Sequence, residues 1–253
     1  MRLGLRMKRL FSAVARKQAR EQQKLLEGWE KTNPPRALLE YAAQDNLEKI
    51  DALLAAGVDP NAEVQIDITV DTIMETPLSA AASAGKLRAA QRLIAAGARV
   101  DKPVDDHYTP LMKAAVEGWP LMVEYLASQG ADIHVREDIF GHTPLHKAAR
   151  LGRAVTVETL LALGAERMRQ DHAGRIAEDT ICEQYGGSAA DKDELSRAIR
   201  KAFDEDTARK AEAAARIEAA QAARAREMAA AAELQRDMQV RSVATIRQRG
   251  PKP

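Results

Sequence analysis

Three copies of one ten-residue phrase constrain this chain more than anything else in it: TPLSAAASAG from Thr76, TPLMKAAVEG from Thr109 and TPLHKAARLG from Thr143. Their starts lie 33 and 34 residues apart, and the Gly-Ala pairs that close each copy, Gly97-Ala98, Gly130-Ala131 and Gly164-Ala165, keep the same separations. Landmarks in phase at this period specify a repeat array, in which each unit buries the apolar face of its neighbour. A weaker copy precedes them, ALLEYAAQDNLEKIDALLAAGVDPN from Ala37, and a degraded one follows, GRIAEDTICEQYG from Gly174.

The local chemistry of a unit follows from its residues. Thr76, Thr109 and Thr143 are placed to cap a helix N-terminus, and the proline after each stands at the first helical position, where a missing N–H costs nothing. Leu78, Leu111 and Leu145, with the pairs Ala81-Ala82, Ala114-Ala115 and Ala148-Ala149, form an inward face whose small side chains let helices approach closely. Gly85, Gly118 and Gly152 supply a left-handed turn residue between two helices, and Gly97, Gly130 and Gly164 end the second helix. That second helix carries the larger aliphatics, such as Leu93-Ile94 and Leu160-Leu161.

These units resemble ankyrin repeats: a turn, a Thr-Pro-Leu-His helix with paired alanines, a second helix and a Gly-Ala close. The resemblance covers about residues 36–187 and implies an all-α solenoid of helix-turn-helix repeats with hairpin-like loops. A repeat domain over 34–187 is expected, with about four units and a degenerate cap. Departures are informative. Ser79 and Met112 replace the histidine that His146 retains, Asp45 stands where a glycine is expected, and Ile176, Ala177 and Glu178 take the Thr-Pro-Leu positions of the last unit.

Two flanks complete the expected organisation. Residues 1–33 suit a basic amphipathic helix, with Leu3, Met7, Leu10, Phe11 and Val14 at helical spacing and no acid before Glu21; Asn33-Pro34-Pro35-Arg36 ends it. Its stripe fits packing on the repeats or the C-terminal helix, dimerisation, or docking on a membrane surface or acidic partner, and an organellar presequence would look similar. Residues 188–253 read as a long alanine- and charge-rich helix with a frayed tail, laced by Glu205–Arg209, Asp206–Lys210, Glu212–Arg216 and Asp237–Arg241 at four-residue spacing. Large apolar residues there form no sustained heptad, so a coiled coil is one option beside an alanine-lined seam.

With 38 basic and 37 acidic residues, the balance gives no reason to expect a nucleic-acid partner. The single cysteine, Cys182, permits no internal disulfide, and no apolar run reaches about 18 residues, so a cytoplasmic setting fits, with a secreted effector or peripheral protein as the other option. Phosphate loops, nucleophile elbows and metal motifs are missing, so neither a cofactor nor a metal is expected and the chain reads as non-catalytic. His142 and His146 are four apart, but the helix start at Thr143 and Pro144 separates them, so a metal pair is disfavoured. Asp101, Asp105, Asp106, Glu137, Asp138 and Asp171 follow the repeat spacing and are expected to bond nearby turn backbone.

The resemblance implies a protein-interaction scaffold or adaptor that recruits, tethers or inhibits another protein through the concave first-helix positions and the loop tips. Those positions here include Ala80, Ser83, Ala84, Lys113, Val116, Glu117, Lys147, Arg150 and Leu151, a face graded from neutral to basic; the tips add His107, Tyr108, Ile139 and Phe140. A further feature is individual to this chain. The first connection is about seven residues longer than the others, and in it Val64, Ile66, Ile68 and Val70 alternate with Gln65, Asp67 and Thr69, followed by Asp71. That period of two predicts an extended β-like loop, which either packs on neighbouring turns or offers Gln65, Asp67, Thr69 and Asp71 along an edge to a partner strand. The alternative functions are a structural protein oligomerising through its terminal helices and a membrane-peripheral effector led by residues 1–31.

Overall fold

The structure, a computed structural model, describes residues 24–67 and 72–248; the side chains of 67, 72, 106 and 223, and all those beyond 224, fall outside the description. The expected N-terminal stripe from Leu3 to Val14 therefore lies outside the described residues, as do Thr69 and Asp71.

Helix α1 (24–32) leads directly into α2 (Pro34–Gln44), whose N-cap Asn33 accepts from the Arg36 amide while Pro34 takes the first turn. Four helix pairs follow in order: α2 with α3 (Leu47–Ala55), α4 (Pro77–Ser83) with α5 (Leu87–Ala95), α6 (Pro110–Glu117) with α7 (Pro120–Ser128), and α8 (Pro144–Arg150) with α9 (Ala154–Ala162). The first helices pack in a row, α2 on α4, α4 on α6, α6 on α8, and the second helices α3, α5, α7 and α9 form a parallel row behind them. Each expected threonine caps its helix: Thr76 accepts from Ser79 N, Thr109 from Met112 N and Thr143 from His146 N. All six paired alanines are completely buried and Leu78, Leu111 and Leu145 nearly so. The closeness of the rows thus rests on side chains with almost no rotamer entropy to lose.

Asp45 takes over the glycine's role in the first pair. It adopts a left-handed conformation (φ 58°), tolerated by a short polar side chain, and its Oδ1 accepts from Ala89 N at the start of α5, 3.0 Å away. The other turns are closed by the following unit. The indole of Trp119 donates to Ser83 O (2.8 Å), Nε of Arg153 donates to Val116 O (2.8 Å), and the amide of Gln184 donates to Arg150 O (3.0 Å). Each acceptor is two residues before a turn glycine, and a Cβ built on that glycine would meet Trp119 at 2.6 Å, Arg153 at 2.8 Å, or Tyr185, Cys182 and Leu195 at 3.2–3.3 Å.

The long first connection forms a hairpin of β1 (Val64–Asp67) and β2 (Thr72–Glu75), antiparallel, with Gln65 opposite Met74 and Ile66 opposite Ile73. Val64 is buried against Leu39 and Ala80 with Ile66 beside them, so this half of the alternating stripe packs back on the repeats. Both outer edges are engaged where they are described: Arg36 donates to Gln65 O at 2.9 Å, and Asp105 accepts from Met74 N at 2.6 Å. On each edge a side chain thus occupies one backbone group that an added strand would use.

In the degraded unit a 3-10 turn (Ala177–Thr180) replaces the first helix, with Ala177, Thr180 and Cys182 buried. Helix α10 (Ala189–Gln248) follows, and its beginning places Ile199, Ala202 and Phe203 in the same core as the repeats. The chain divides into two bodies at this point, Met1–Phe203 and Asp204–Pro253, so the repeat body extends past residue 188. In the second body Lys210–Asp206 (2.8 Å) and Arg216–Glu212 (2.7 Å) pair at the expected spacing. No helix of the described residues is long and apolar enough to cross a membrane.

Candidate functional site

Five of the residues singled out in the sequence converge on the first-helix face of α6 and α8: Tyr108, Lys113, Phe140, Lys147 and Arg150. Nζ of Lys147 lies 4.7 Å from the Tyr108 ring centroid and 6.0 Å from that of Phe140; Lys113 approaches Tyr108 at 5.8 Å, and the Arg150 guanidinium approaches Phe140 at 5.9 Å. These are cation–π distances, and they alternate cation and ring along the face. Tyr108 is held by an isolated antiparallel bridge to Val104, and Phe140 stands half exposed on a tip anchored by Glu137.

Burial corrects the expected face in two respects. Ala80 and Lys147, expected as exposed variable positions, are 8% and 9% exposed. Ala80 is covered by the hairpin residue Val64, and Lys147 lies under the two rings. Nor is the face simply basic. Lys113 pairs with Glu75 (3.4 Å), whose carboxylate also accepts the Ser79 hydroxyl, Lys147 is 3.7 Å from Glu137, and Arg150 is 3.4 Å from Glu183. Glu117 is exposed at the end of α6, and Gln65 is exposed on the hairpin. His107 adopts a left-handed backbone (φ 60°) and places its imidazole against the Asp138 carboxylate of the next tip. Asp67 is described only through its backbone pairing with Thr72.

Glu137, one of the turn acids expected to bond nearby backbone, does so and holds the whole tip. Its carboxylate accepts from the amides of Ile139 (2.9 Å), Phe140 (3.0 Å) and His142 (3.2 Å). In the next tip Asp171 does the same for Ala173 (2.8 Å) and Arg175 (2.9 Å). Asp171 stands three residues before Gly174, whereas Glu137 stands four before Gly141. The 34-residue spacing was the available signal: one extra residue in this tip, spanned by a side chain one methylene longer. Of the other turn acids, Asp101 and Asp105 serve backbone outside their own turns, accepting from Asp132 N and Met74 N, while Asp138 meets the His107 ring.

Between these two carboxylates sits His142, fully buried and stacked between Phe140 (5.4 Å) and His146 (5.6 Å). Its Nδ1 is 3.4 Å from Glu137 and its Nε2 is 3.4 Å from Asp171, and neither nitrogen completes a hydrogen bond among the described residues. Burial, followed by the charges of Lys147, His146 and Arg150, lowers its pKa to about 4 against the pull of Glu137, so the ring is neutral at pH 7. Burial alone would raise the Glu137 carboxyl, but the His142 amide, Lys147 and the other tip amides outweigh it and hold the carboxyl below its ordinary range. His146 reciprocates the Thr143 cap through Nδ1 (2.8 Å to Oγ1) and reaches Arg175 O through Nε2 (3.1 Å), so its ring is committed to the turn network. No group of three or more His, Cys, Asp or Glu among the described residues is arranged to hold a metal.

Comparison with known proteins places this geometry. A family model described as "Ankyrin repeats (3 copies)" matches residues 38–137 and 78–171, together more than half of the chain. The chain is similar to the 2-5A-dependent ribonuclease of Mus musculus, 41% identical over 64 residues, covering 25% of this chain and 9% of that protein. It is 34% identical over 90 residues to ankyrin repeat domain-containing protein 37 of Bos taurus, covering 35% of this chain and 56% of the relative. It is also 34% identical over 133 residues to the ankyrin repeat and KH domain-containing protein mask-1 of Caenorhabditis elegans, covering 51% of this chain and 5% of that one. The chain thus spans about half of the cattle relative and under a tenth of the other two. The capped Thr-Pro-Leu helices, the buried alanine pairs and the family match agree: this chain belongs to the ankyrin repeat family.

Proposed function

We propose that this chain is a non-catalytic scaffold that binds another protein through the first-helix face of α6 and α8 and the tips beside it. Ankyrin repeats generally mediate protein–protein interaction. The observation that carries the site is Phe140: an aromatic ring, 50% exposed, beside the equally open Ile139, on a tip fixed by three hydrogen bonds to Glu137 and flanked by Lys147 and Arg150. Exposed aromatics beside arginine, on a backbone that loses little entropy on binding, are the composition in which interface energy concentrates. Whether the consequence for the partner is recruitment, tethering or inhibition depends on the partner.

Affinity capture from the native source tests this, using the full chain, Phe140→Ala and Val155→Ala. Val155 is at least as exposed as Phe140 but lies in the first turn of α9, on the second helix of the same unit. Partners are expected to be lost with Phe140→Ala and retained with Val155→Ala. Identical captures with both variants would remove this face as the binding surface.

A further inference from the structure

Lys147 and Arg150 sit one turn apart on α8, and the carboxylates nearest to them are already engaged. Glu137 accepts three amides, leaving Nζ of Lys147 at 3.7 Å, beyond hydrogen-bond reach. Glu183 accepts from Nη1 of Arg175 at 3.1 Å, and Nε of Arg150, 3.4 Å from Glu183, is buried with no hydrogen-bond partner. An ammonium carries three donors and a guanidinium five, yet among the described residues neither side chain completes a hydrogen bond. Lys147 is 9% exposed, with the Tyr108 ring 4.7 Å from its charge. The rings offset part of its lost hydration, while Glu137 stays beyond hydrogen-bond reach.

We infer that this face takes a carboxylate of the partner, an Asp or Glu side chain followed or preceded by a bulky apolar residue that packs on Phe140 and Ile139. This rests on the proposed function and names the chemistry its site selects. One carboxylate oxygen meets the Lys147 ammonium and the other the Arg150 fork, a pairing that fills donors the protein itself leaves open. The arrangement is specific because both cations lean on the ring that receives the apolar neighbour, so acid and hydrophobe are read at a fixed separation. Lys113, already paired with Glu75, lies on the far side of Tyr108 and adds field rather than a contact.

Random dodecapeptides displayed on phage are selected on the immobilised full chain, and individual binders are then measured by fluorescence anisotropy. Targets are wild type, Lys147→Met and Phe140→Ala, each checked for folding by circular dichroism. Binders are expected to share an acid adjacent to Leu, Ile, Phe or Trp, and replacing that acid with its amide, or Lys147 with Met, is expected to weaken binding about tenfold, without additivity. A phosphoserine in place of the acid is expected to bind no better. Binders that depend on Phe140 but tolerate both the amide and Lys147→Met, or that gain about tenfold from phosphoserine, would overturn the carboxylate assignment while leaving the binding face in place. Binders indifferent to Phe140→Ala would instead overturn the proposed function.

Discussion

Lowering the pH from 7 to 5 is expected to destabilise the repeat body through its buried imidazoles. Burial depresses His146 as well as His142, and since His146 is common to wild type and a His142 variant, the difference between them isolates His142. His142 is neutral when folded, with a pKa of about 4, whereas an unfolded imidazole titrates near 6.5. At pH 5 the unfolded ring is ~97% protonated and the folded ring ~9%, so the unfolded state binds more protons and stability falls as pH falls through this window. The difference amounts to about 2 kcal/mol between pH 7 and pH 5, or about 1 M in urea midpoint for an m-value near 2 kcal/mol/M. Glu137 and Asp171 also have depressed values, but their contributions leave only below about pH 4.5, outside this window. Urea denaturation at the two pH values, followed by fluorescence of Trp29 and Trp119 and by circular dichroism, measures the effect, with His142→Gln as the comparison. The variant is expected to lose about 2 kcal/mol less than the wild type over the same interval. An equal loss in both proteins, or an NMR titration in which the folded His142 ring protonates near 6.5, would refute the reasoning.

Gly85→Ala is expected to cost at least about 2 kcal/mol in urea denaturation, since it combines a left-handed φ with a Cβ 2.6 Å from Trp119, whereas Gly97→Ala, left-handed but facing open space, is expected to cost about 1–2 kcal/mol. Asp45→Ala is expected to destabilise by about 1–2 kcal/mol, through the left-handed backbone and the lost acceptor for Ala89 N, with Asp45→Asn retaining most of the stability in the same assay. Thr143→Ala is expected to cost about 1 kcal/mol, and a double-mutant cycle with His146→Leu is expected to show coupling of at least about 0.5 kcal/mol, because each side chain serves the other's backbone amide.

Much of the fold was legible because the repeat imposes the same local chemistry at the same positions. Thr109 and Thr143 cap helices, Ala114-Ala115 vanish into the core, and the alternation from Val64 forms a strand, all for reasons contained within a few residues. The candidate site was legible as a set of residues but not as an arrangement. Lys113 meets Glu75, 38 positions away, and Arg150 meets Glu183, 33 away; only the stacking of units decides which cation finds an acid and which keeps open donors. Lys147 read as exposed because its helical position is exposed, until rings contributed by two different tips cover it. The beginning of α10 was harder still. Leu195, Ile199, Ala202 and Phe203 carry a helical apolar stripe, but it opens an alanine-rich run whose later residues show no such pattern, and nothing local marks where the packing ends.

The turns closed from the following unit give the array a direction. Trp119 finishes the turn at Gly85, Arg153 the turn at Gly118, and Gln184 with Tyr185 and Leu195 the turn at Gly152, so every unit is completed only by its successor. Growth of such an array by duplication can proceed in the interior, where each copy brings a lid for the copy before it. At the C-terminal end the last lid comes from a different kind of segment, with a 3-10 turn in place of a first helix and Tyr185, followed by Gly186, where the earlier units have their turn glycine. The degraded repeat and the start of α10 together do for the last regular unit what a successor does for the others, covering its turn and closing its core.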